Sequence, residues 1–131
     1  MTNRLDAILA VKQLEVQALY ALIAENPHHP IAQVLKTPTK RANLQRFKAS
    51  LSGNGLSLIA EVKRCSPSAG LFAPELDATK CALDYVQSGA NAISVLTDEQ
   101  FFRGSLHDLT QVVQRVRTYA TPILRLSLIH I

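Results

Sequence analysis

Residues 56–70 read LSLIAEVKRCSPSAG, an apolar run that ends in charged and hydroxyl-bearing side chains. Residues 56–62 are predicted to form a β-strand, because the helical periodicity of the preceding segment stops at a turn over 53–55. Two further apolar runs, at 92–96 and from Ile123 onward, are predicted strands as well. The strands begin about 30 to 36 residues apart, which is the interval of right-handed parallel crossovers.

A helix is predicted between each pair of successive strands. Asp77 can cap the first of these helices and Gly89 can end it. The second helix begins with Ser105 and Asp108, which have the spacing of a capping box. Its inward-facing residues are predicted to be Leu106, Leu109, Val112, Val113 and Val116. The order β-α-β-α-β permits an open doubly wound sheet or part of a (β/α)8 barrel.

The segment before the first strand is predicted to be a helical extension. Residues 3–24 carry apolar side chains at helical spacing, so we expect an amphipathic helix with Asn3 as its cap. Its apolar face is predicted to consist of Leu5, Ile8, Leu9, Val16, Leu19 and Ile23. A short segment at 31–36 and a basic helical segment around Phe47 follow, and the turn at 53–55 is expected to be a hairpin-like connector.

The composition favours a cytoplasmic protein. Of the 131 residues, 47% are hydrophobic, which is enough for a buried core, and the formal net charge of +4 favours anionic partners without identifying them. No apolar run is expected to approach the roughly 18 to 20 residues that span a bilayer. An export signal is disfavoured by polar residues near the N-terminus, namely Asn3, Arg4, Asp6 and Lys12. Cys65 and Cys81 fit neither a disulfide framework nor a zinc pattern, so no metal site is expected.

A pair of opposite charges lies at the end of the first predicted strand. Because side chains alternate between the two faces of a strand, Glu61 and Lys63 are expected on the same face. Strands of a parallel sheet rarely carry charge except at the end where a ligand binds. The pair is therefore either a structural ion pair or an acid/base pair suited to proton transfer. The hydroxyls and backbone amides of residues 66–68 follow directly and can receive an anion.

Three segments together resemble the first three strands of indole-3-glycerol phosphate synthases over about residues 3–125. They are LIAEVKRCSPSAG at 58–70, NAISVLTDEQFFRGSLHDL at 91–109 and TPILR at 121–125. The resemblance implies the N-terminal portion of a (β/α)8 TIM barrel preceded by a helical N-terminal extension. Residues 1–52 would be the extension, and residues 53–125 would be the first three strands and two helices of the barrel.

The resemblance also implies an enzyme of tryptophan biosynthesis. Such a carboxy-lyase closes the indole ring of 1-(2-carboxyphenylamino)-1-deoxyribulose 5-phosphate, with loss of carbon dioxide and water and without a cofactor or metal. Glu61 would contribute acid/base chemistry, and Lys63 would be the cation near the carboxylate and phosphate. Ser66, Pro67 and Ser68 would belong to a substrate-binding loop, and Phe102 would pack on the anthranilate ring. The implied partner is a small anionic phosphorylated substrate, with no nucleic acid or membrane.

The chain departs from this family after the third strand. Where the family continues with Lys-Asp-Phe, whose Lys is its principal general acid, this sequence has Leu126, Ser127 and Leu128. Residues 126–131 are therefore expected to be a foreign tail, and the chain by itself is expected to be inactive. Three parallel strands cannot close a barrel, so the sheet edges are expected to expose unpaired backbone through which the chain could associate.

Three alternatives stay open at this point. Another phosphate-binding barrel, such as phosphoribosylanthranilate isomerase, would share the β/α periodicity but would not be expected to carry the ExKxxSPS string of residues 61–68. A non-catalytic module that binds anions or nucleic acid would use the basic cluster, which consists of Lys40, Arg41, Arg46 and Lys48. A regulatory or assembling half-barrel is the third.

Overall fold

The computed structural model describes residues 3–36 and 44–127, and these fall into two compact units. The first unit consists of helices α1 (Arg4–Glu25) and α2 (Pro30–Lys36). The second unit is an α/β domain. In chain order its elements are α3 (Leu44–Ser50), β1 (Ile59–Val62), β2 (Cys65–Ser66), β3 (Gly70–Leu71), α4 (Ala78–Gln87), β4 (Ala92–Leu96), α5 (Leu106–Val116) and β5 (Ile123–Leu126).

Two of the sequence expectations lie partly outside the described residues. The basic cluster is described only at Arg46 and Lys48, and Lys40 and Arg41 are outside. Of the expected foreign tail, residues 128–131 are outside as well.

β1, β4 and β5 form a parallel sheet in the order β1-β4-β5, with α4 and α5 as the crossover helices. The predicted β-α-β-α-β order is therefore confirmed. β1 begins at Ile59 rather than at residue 56, because Ile59 pairs with Ala92, the first residue of β4. Just upstream of that pair, the Leu58 amide donates to the Asn91 side chain at 2.8 Å.

One face of the sheet carries the hydrophobic core. Ala60 and Val62 of β1 and Ile93 and Val95 of β4 point toward α4 and α5, which cover this face. The buried helical residues in the core are Ala78, Ala82, Val86, Val112 and Val116. We call this the helix-covered face of the sheet.

Side chains on the other face alternate with those of the core. Glu61, Ser94 and Leu124 lie side by side across the three strands, because the register pairs Glu61 with Ser94 and Ser94 with Leu124. Ile59 and Leu124 on this face are 43% and 39% exposed. We call it the second face. On this face, the outer strands of the sheet, β1 and β5, leave apolar side chains open to solvent.

The helix ends follow the predicted caps. The Asp77 carboxylate accepts hydrogen bonds from the amides of Thr79 and Lys80 at 2.8 and 3.1 Å, which starts α4. Gly89 follows the end of α4 with a φ of 90°, a left-handed conformation that favours glycine. Both predicted signals are thus confirmed.

Two of the five inward positions predicted for α5 are wrong. Val112 and Val116 are buried and Leu109 packs against the core, whereas Leu106 and Val113 are exposed. A helix buries one stripe at intervals of three and four residues. The stripe here runs through positions 109, 112 and 116, so positions 106 and 113 fall beside it.

The segment between β1 and α4, where the sequence predicts only a loop, contains a short antiparallel pair of strands. β2 and β3 pair Cys65 with Leu71 and Ser66 with Gly70. By contrast, the turn at 53–55 joins α3 to β1, so the expectation of a hairpin-like connector there is wrong. A hairpin needs a strand on each side, and here a helix precedes the turn.

Helix α1 is less amphipathic than its sequence suggested. Asn3 caps it as predicted, by accepting a hydrogen bond from the Leu5 amide at 3.3 Å. However, Leu5 and Leu19 of the predicted face are 46% and 38% exposed, while Lys12 is buried and bonded to Glu15 at 2.6 Å. The prediction of a single apolar face is therefore wrong.

The apolar composition of α1 bears on the expectation that no apolar run approaches the length of a membrane span. Among the described helices, α1 alone is long and apolar enough to cross a membrane. Core helices of soluble proteins and signal sequences satisfy the same criterion, so this finding is weak support for a membrane span.

Neighbouring valines on α5 provide a matched test of the core. Val112 is fully buried and Val113 is 45% exposed. Val112→Ala should lower the free energy of unfolding by about 2 kcal/mol, because it removes buried methyl groups and leaves a cavity. Val113→Ala should change it by less than about 0.5 kcal/mol. Urea unfolding followed by circular dichroism measures both, and equal effects would contradict the described core.

Candidate functional site

The predicted pair of charges lies at the carboxyl end of β1. Glu61 is on the second face, opposite Ser94, and Lys63 follows the strand by one residue. Their side chains form an ion pair, with 34% of the Glu61 side chain and 31% of the Lys63 side chain exposed. The carboxylate and the ammonium therefore contact each other on the same side of the strand and stay accessible to a ligand.

The predicted anion-binding hydroxyls lie on the hairpin formed by β2 and β3. Ser66 is the last residue of β2, and Pro67 and Ser68 lie in the turn. The Ser66 hydroxyl accepts a hydrogen bond from the Ala69 amide at 3.1 Å and lies 3.3 Å from the Ser68 hydroxyl. The hairpin thus presents two adjacent hydroxyls and a backbone turn close behind Lys63 in the chain.

Phe102 lies in the tight loop between β4 and α5 and is half-buried. This loop is organised by Asp98, which is buried at the end of β4. The Asp98 carboxylate accepts from the Phe101 amide at 2.7 Å, and its carbonyl accepts from the Gly104 amide at 2.8 Å. Hydrogen bonds on both sides of Phe102 therefore fix the backbone that carries the ring.

Two backbone features tighten the same loop. Arg103 has a φ of 54°, in the left-handed region that non-glycine residues seldom adopt. A Cβ atom on Gly104 would lie 2.0 Å from the carbonyl oxygen of Leu96, so only glycine fits this position. Because residue 104 has no side chain, the loop can pass directly against the end of β4.

Arg64 is not among the residues that the sequence predicts for the site. Its guanidinium bonds both carboxylate oxygens of Asp108, at 2.8 and 3.0 Å, and also reaches the carbonyl oxygens of Leu76 at 3.0 Å and Arg103 at 3.3 Å. The signal that could have indicated Arg64 is its position next to Lys63 in the string ExKxxSPS. Asp108 was predicted to complete a capping box, but its carboxylate binds Arg64 and the Ser105 hydroxyl instead.

The bidentate contact changes the titration of both partners. Hydrogen bonding to Arg64 has the largest effect and lowers the pKa of Asp108. Burial, the next largest effect, raises this pKa, and the hydrogen bond from the Ser105 hydroxyl lowers it further. The same hydrogen bond to Asp108 raises the pKa of Arg64. Both groups are therefore charged throughout the neutral range.

The site faces an open surface in this chain. Four cavities of about 340 to 510 Å³ lie elsewhere, and none of these four is lined by Glu61, Lys63 or Phe102. Within residues 3–36 and 44–127, no group of three or more His, Cys, Asp or Glu side chains is placed to hold a metal.

Comparisons with known proteins agree on one family. Residues 5–125 match the family model for indole-3-glycerol phosphate synthase. The chain is similar to the indole-3-glycerol phosphate synthase of Chlorobium luteolum, with 41% identity over 123 residues that cover 92% of this chain and 44% of that protein. It is also similar to the synthases of Exiguobacterium sibiricum, with 40% identity over 87% of this chain and 40% of that protein, and of Geobacillus kaustophilus, with 38% over 92% and 41%. The chain thus spans less than half the length of these relatives.

Gly104→Ala should disrupt the loop that carries Phe102. The added methyl group cannot be accommodated beside the Leu96 carbonyl, so the backbone must move, at a cost of about 1–3 kcal/mol. Gly55→Ala is the matched control, because nothing lies within 4 Å of its Cβ position. Thermal unfolding of the two variants compares them, and equal melting temperatures would contradict the close approach at Gly104.

The contact between Arg64 and Asp108 should make stability depend on pH. Because folding lowers the pKa of Asp108, its stabilising effect is present above the unfolded pKa of about 3.9 and is lost as the pH falls through the folded value. Asp108→Asn should lower the free energy of unfolding at pH 7 by about 1–3 kcal/mol.

The two proteins should converge in stability as the pH falls through the folded pKa of Asp108. Denaturant unfolding between pH 2.5 and 7 measures the difference, with Asp84→Asn on the exposed surface of α4 as the control. A difference that is independent of pH would contradict the ion pair.

Proposed function

The chain belongs to the indole-3-glycerol phosphate synthase family of (β/α)8 barrels, and from this premise we propose that it is part of an enzyme that makes the indole ring. In this proposal, residues 53–125 supply the first three strands and two helices of the barrel, behind a helical extension formed by residues 1–52. The reaction is ring closure of 1-(2-carboxyphenylamino)-1-deoxyribulose 5-phosphate, followed by loss of carbon dioxide and water.

The contact between Glu61 and Lys63 carries the proposal. Ring closure requires an acid at the sugar carbonyl, and the substrate brings a carboxylate and a phosphate that need a cation. Lys63 is proposed to bind these anionic groups and Glu61 to exchange protons with the reacting centre. The ion pair supports these roles, because an entering carboxylate can replace Glu61 as the partner of Lys63 and release Glu61 for proton transfer.

The loops after β1 and β4 are proposed to bind the rest of the substrate. Ser66, Pro67 and Ser68 would contact and enclose it through the hairpin turn, where the two hydroxyls lie 3.3 Å apart. Phe102 would stack on the anthranilate ring. Its half-buried position in a loop fixed by Asp98 supports this role, since a held ring loses little freedom on binding.

The remaining catalytic groups are proposed to come from the part of the relatives that this chain does not match. Leu126 is the last residue of β5 and Ser127 follows it, where the resemblance places a Lys and an Asp. Loss of a general acid costs about 10² to 10⁴ in rate. The chain as it stands is therefore proposed to turn over little or no substrate, with residues 126–131 as a foreign tail.

A nucleic-acid partner is disfavoured by the described half of the basic cluster. The Arg46 guanidinium donates to the Ala120 carbonyl at 2.9 Å, and Phe47, the neighbouring residue whose ring could stack on a base, is half-buried. We propose a small anionic phosphorylated substrate, a cytoplasmic location and no membrane partner. The outer strands of the sheet, β1 and β5, are the proposed edges for association with further strands.

The proposal is tested in a chimera of the C. luteolum synthase whose matched segment is replaced by residues 5–125 of this chain. The chimera should form indole-3-glycerol phosphate, while Lys63→Ala and Glu61→Gln should each lower kcat/KM by at least about 10²-fold. Lys48→Ala is the matched control, because Lys48 is exposed on α3. An inactive but folded chimera would contradict the proposed function. Full activity of both variants would reduce Glu61 and Lys63 to a structural ion pair.

A further inference from the structure

We propose that a cavity beside the carboxyl end of α5 binds a small aromatic carboxylate. The cavity has a volume of about 340 Å³, and its lining comes from α3, the end of α5 and the start of β5. Glu61 and Lys63 lie at the carboxyl end of β1, so the cavity is at the opposite end of the parallel sheet. The inference therefore concerns a second site and does not depend on the proposed reaction.

Two guanidinium groups make the cavity positive. Arg46 of α3 and Arg117, which directly follows α5, both line it. Arginine keeps its charge throughout the physiological pH range. Among the described residues that line the cavity, none is acidic. The cavity should therefore attract an anion, and the planar shape of a carboxylate matches the planar fork of a guanidinium.

Both charges are placed where an anion would need them. The Arg46 guanidinium donates to the Ala120 carbonyl at 2.9 Å, which fixes it beside the segment that leads into β5. Arg117 lies at the carboxyl end of α5, where the helix carbonyls carry partial negative charge and repel anions. An anion can bind at this end of the helix only if cations offset that repulsion, so we expect binding to depend on the arginines.

The remaining wall of the cavity is largely apolar. Val113, Pro122 and Ile123 line it together with the ring of Tyr119. Val113 is 45% exposed, so its methyl groups are accessible to a ligand. The Tyr119 hydroxyl accepts a hydrogen bond from the Gln87 side chain at 3.3 Å, which ties the ring to α4. A ring already held in place loses little freedom when a second ring packs on it.

The combination of charge and apolar surface selects the class of ligand. Inorganic phosphate would meet the arginines but would leave the apolar wall in contact with water. An uncharged aromatic compound would cover the wall but would leave the arginines without an anion. Cavities of about 300 to 1,000 Å³ hold small organic ligands, and this one is at the lower end of that range. A compact aromatic acid satisfies all three conditions.

The test uses 2-naphthoate as the probe and the 131-residue chain as the protein. Isothermal titration calorimetry should show saturable binding at one site. 2-Naphthol lacks the carboxylate and should bind at least about 10-fold more weakly. In NMR spectra, 2-naphthoate should shift the amide signals of Val113, Tyr119 and Ile123, which line the cavity.

Variants of neighbouring arginines locate the bound probe. Arg46→Gln and Arg117→Gln should each raise the Kd of 2-naphthoate about 3- to 10-fold. Arg115→Gln is the matched control, because Arg115 is exposed in the last turn of α5, carries the same charge and does not line this cavity. Lys63→Ala should also leave the Kd unchanged, since Lys63 lies at the other end of the sheet. Circular dichroism verifies that each variant is folded.

Three results would overturn the inference. They are the absence of saturable binding to the folded chain, equal weakening by Arg115→Gln and Arg117→Gln, and loss of binding in Lys63→Ala, which would place the probe in the candidate functional site. If Arg46→Gln disturbs the segment before β5, Arg117→Gln still decides, because the exposed Arg117 is outside the core. An inactive chimera would contradict the proposed function alone, since binding in this cavity is measured without catalysis.

Discussion

The alternation of side chains along β1 is the constraint on which the rest of the site depends. Ala60 and Val62 must face α4 and α5 to complete the core, so Glu61, which lies between them, is forced onto the second face. A shift of one residue would bury the carboxylate against the helices and expose the valine. The packing of an apolar core thus determines where the charges lie, before any ligand is considered.

Local patterns in the sequence were sufficient for the order of the three parallel strands and their crossover helices and for the position of the charged pair. The β-α-β-α-β order follows from apolar runs separated by cap and stop signals such as Asp77 and Gly89, each of which acts within a few residues. The contact of Glu61 with Lys63 follows from a spacing of two in a strand. The family likewise follows from short contiguous strings, and the matching of residues 5–125 agrees with it.

Features that depend on distant parts of the chain could not be predicted in the same way. The contact of Arg64 with Asp108 joins residues 44 positions apart, and no local pattern indicates that an apparent capping carboxylate will turn toward another loop. The need for glycine at position 104 arises from the path of β4 and is invisible in the loop sequence itself. The prediction of a single apolar face on α1 was wrong for a different reason. The apolar residues of α1 are distributed around the helix, and a chosen subset of them can be interpreted as one face.

The order of strands in the sheet has a kinetic consequence. In the three-stranded sheet, β4 pairs with β1 and β5 pairs with β4. Each of these two pairings joins parts of the chain about 30 residues apart, so the entropy cost of closing the loop is similar for both. The sheet can therefore elongate one crossover at a time, always at the β5 side. The free edge of β1 is different, because in a closed barrel its partner is the last strand. Closure is then the single long-range event in assembly, and it is the step that we expect to be slowest.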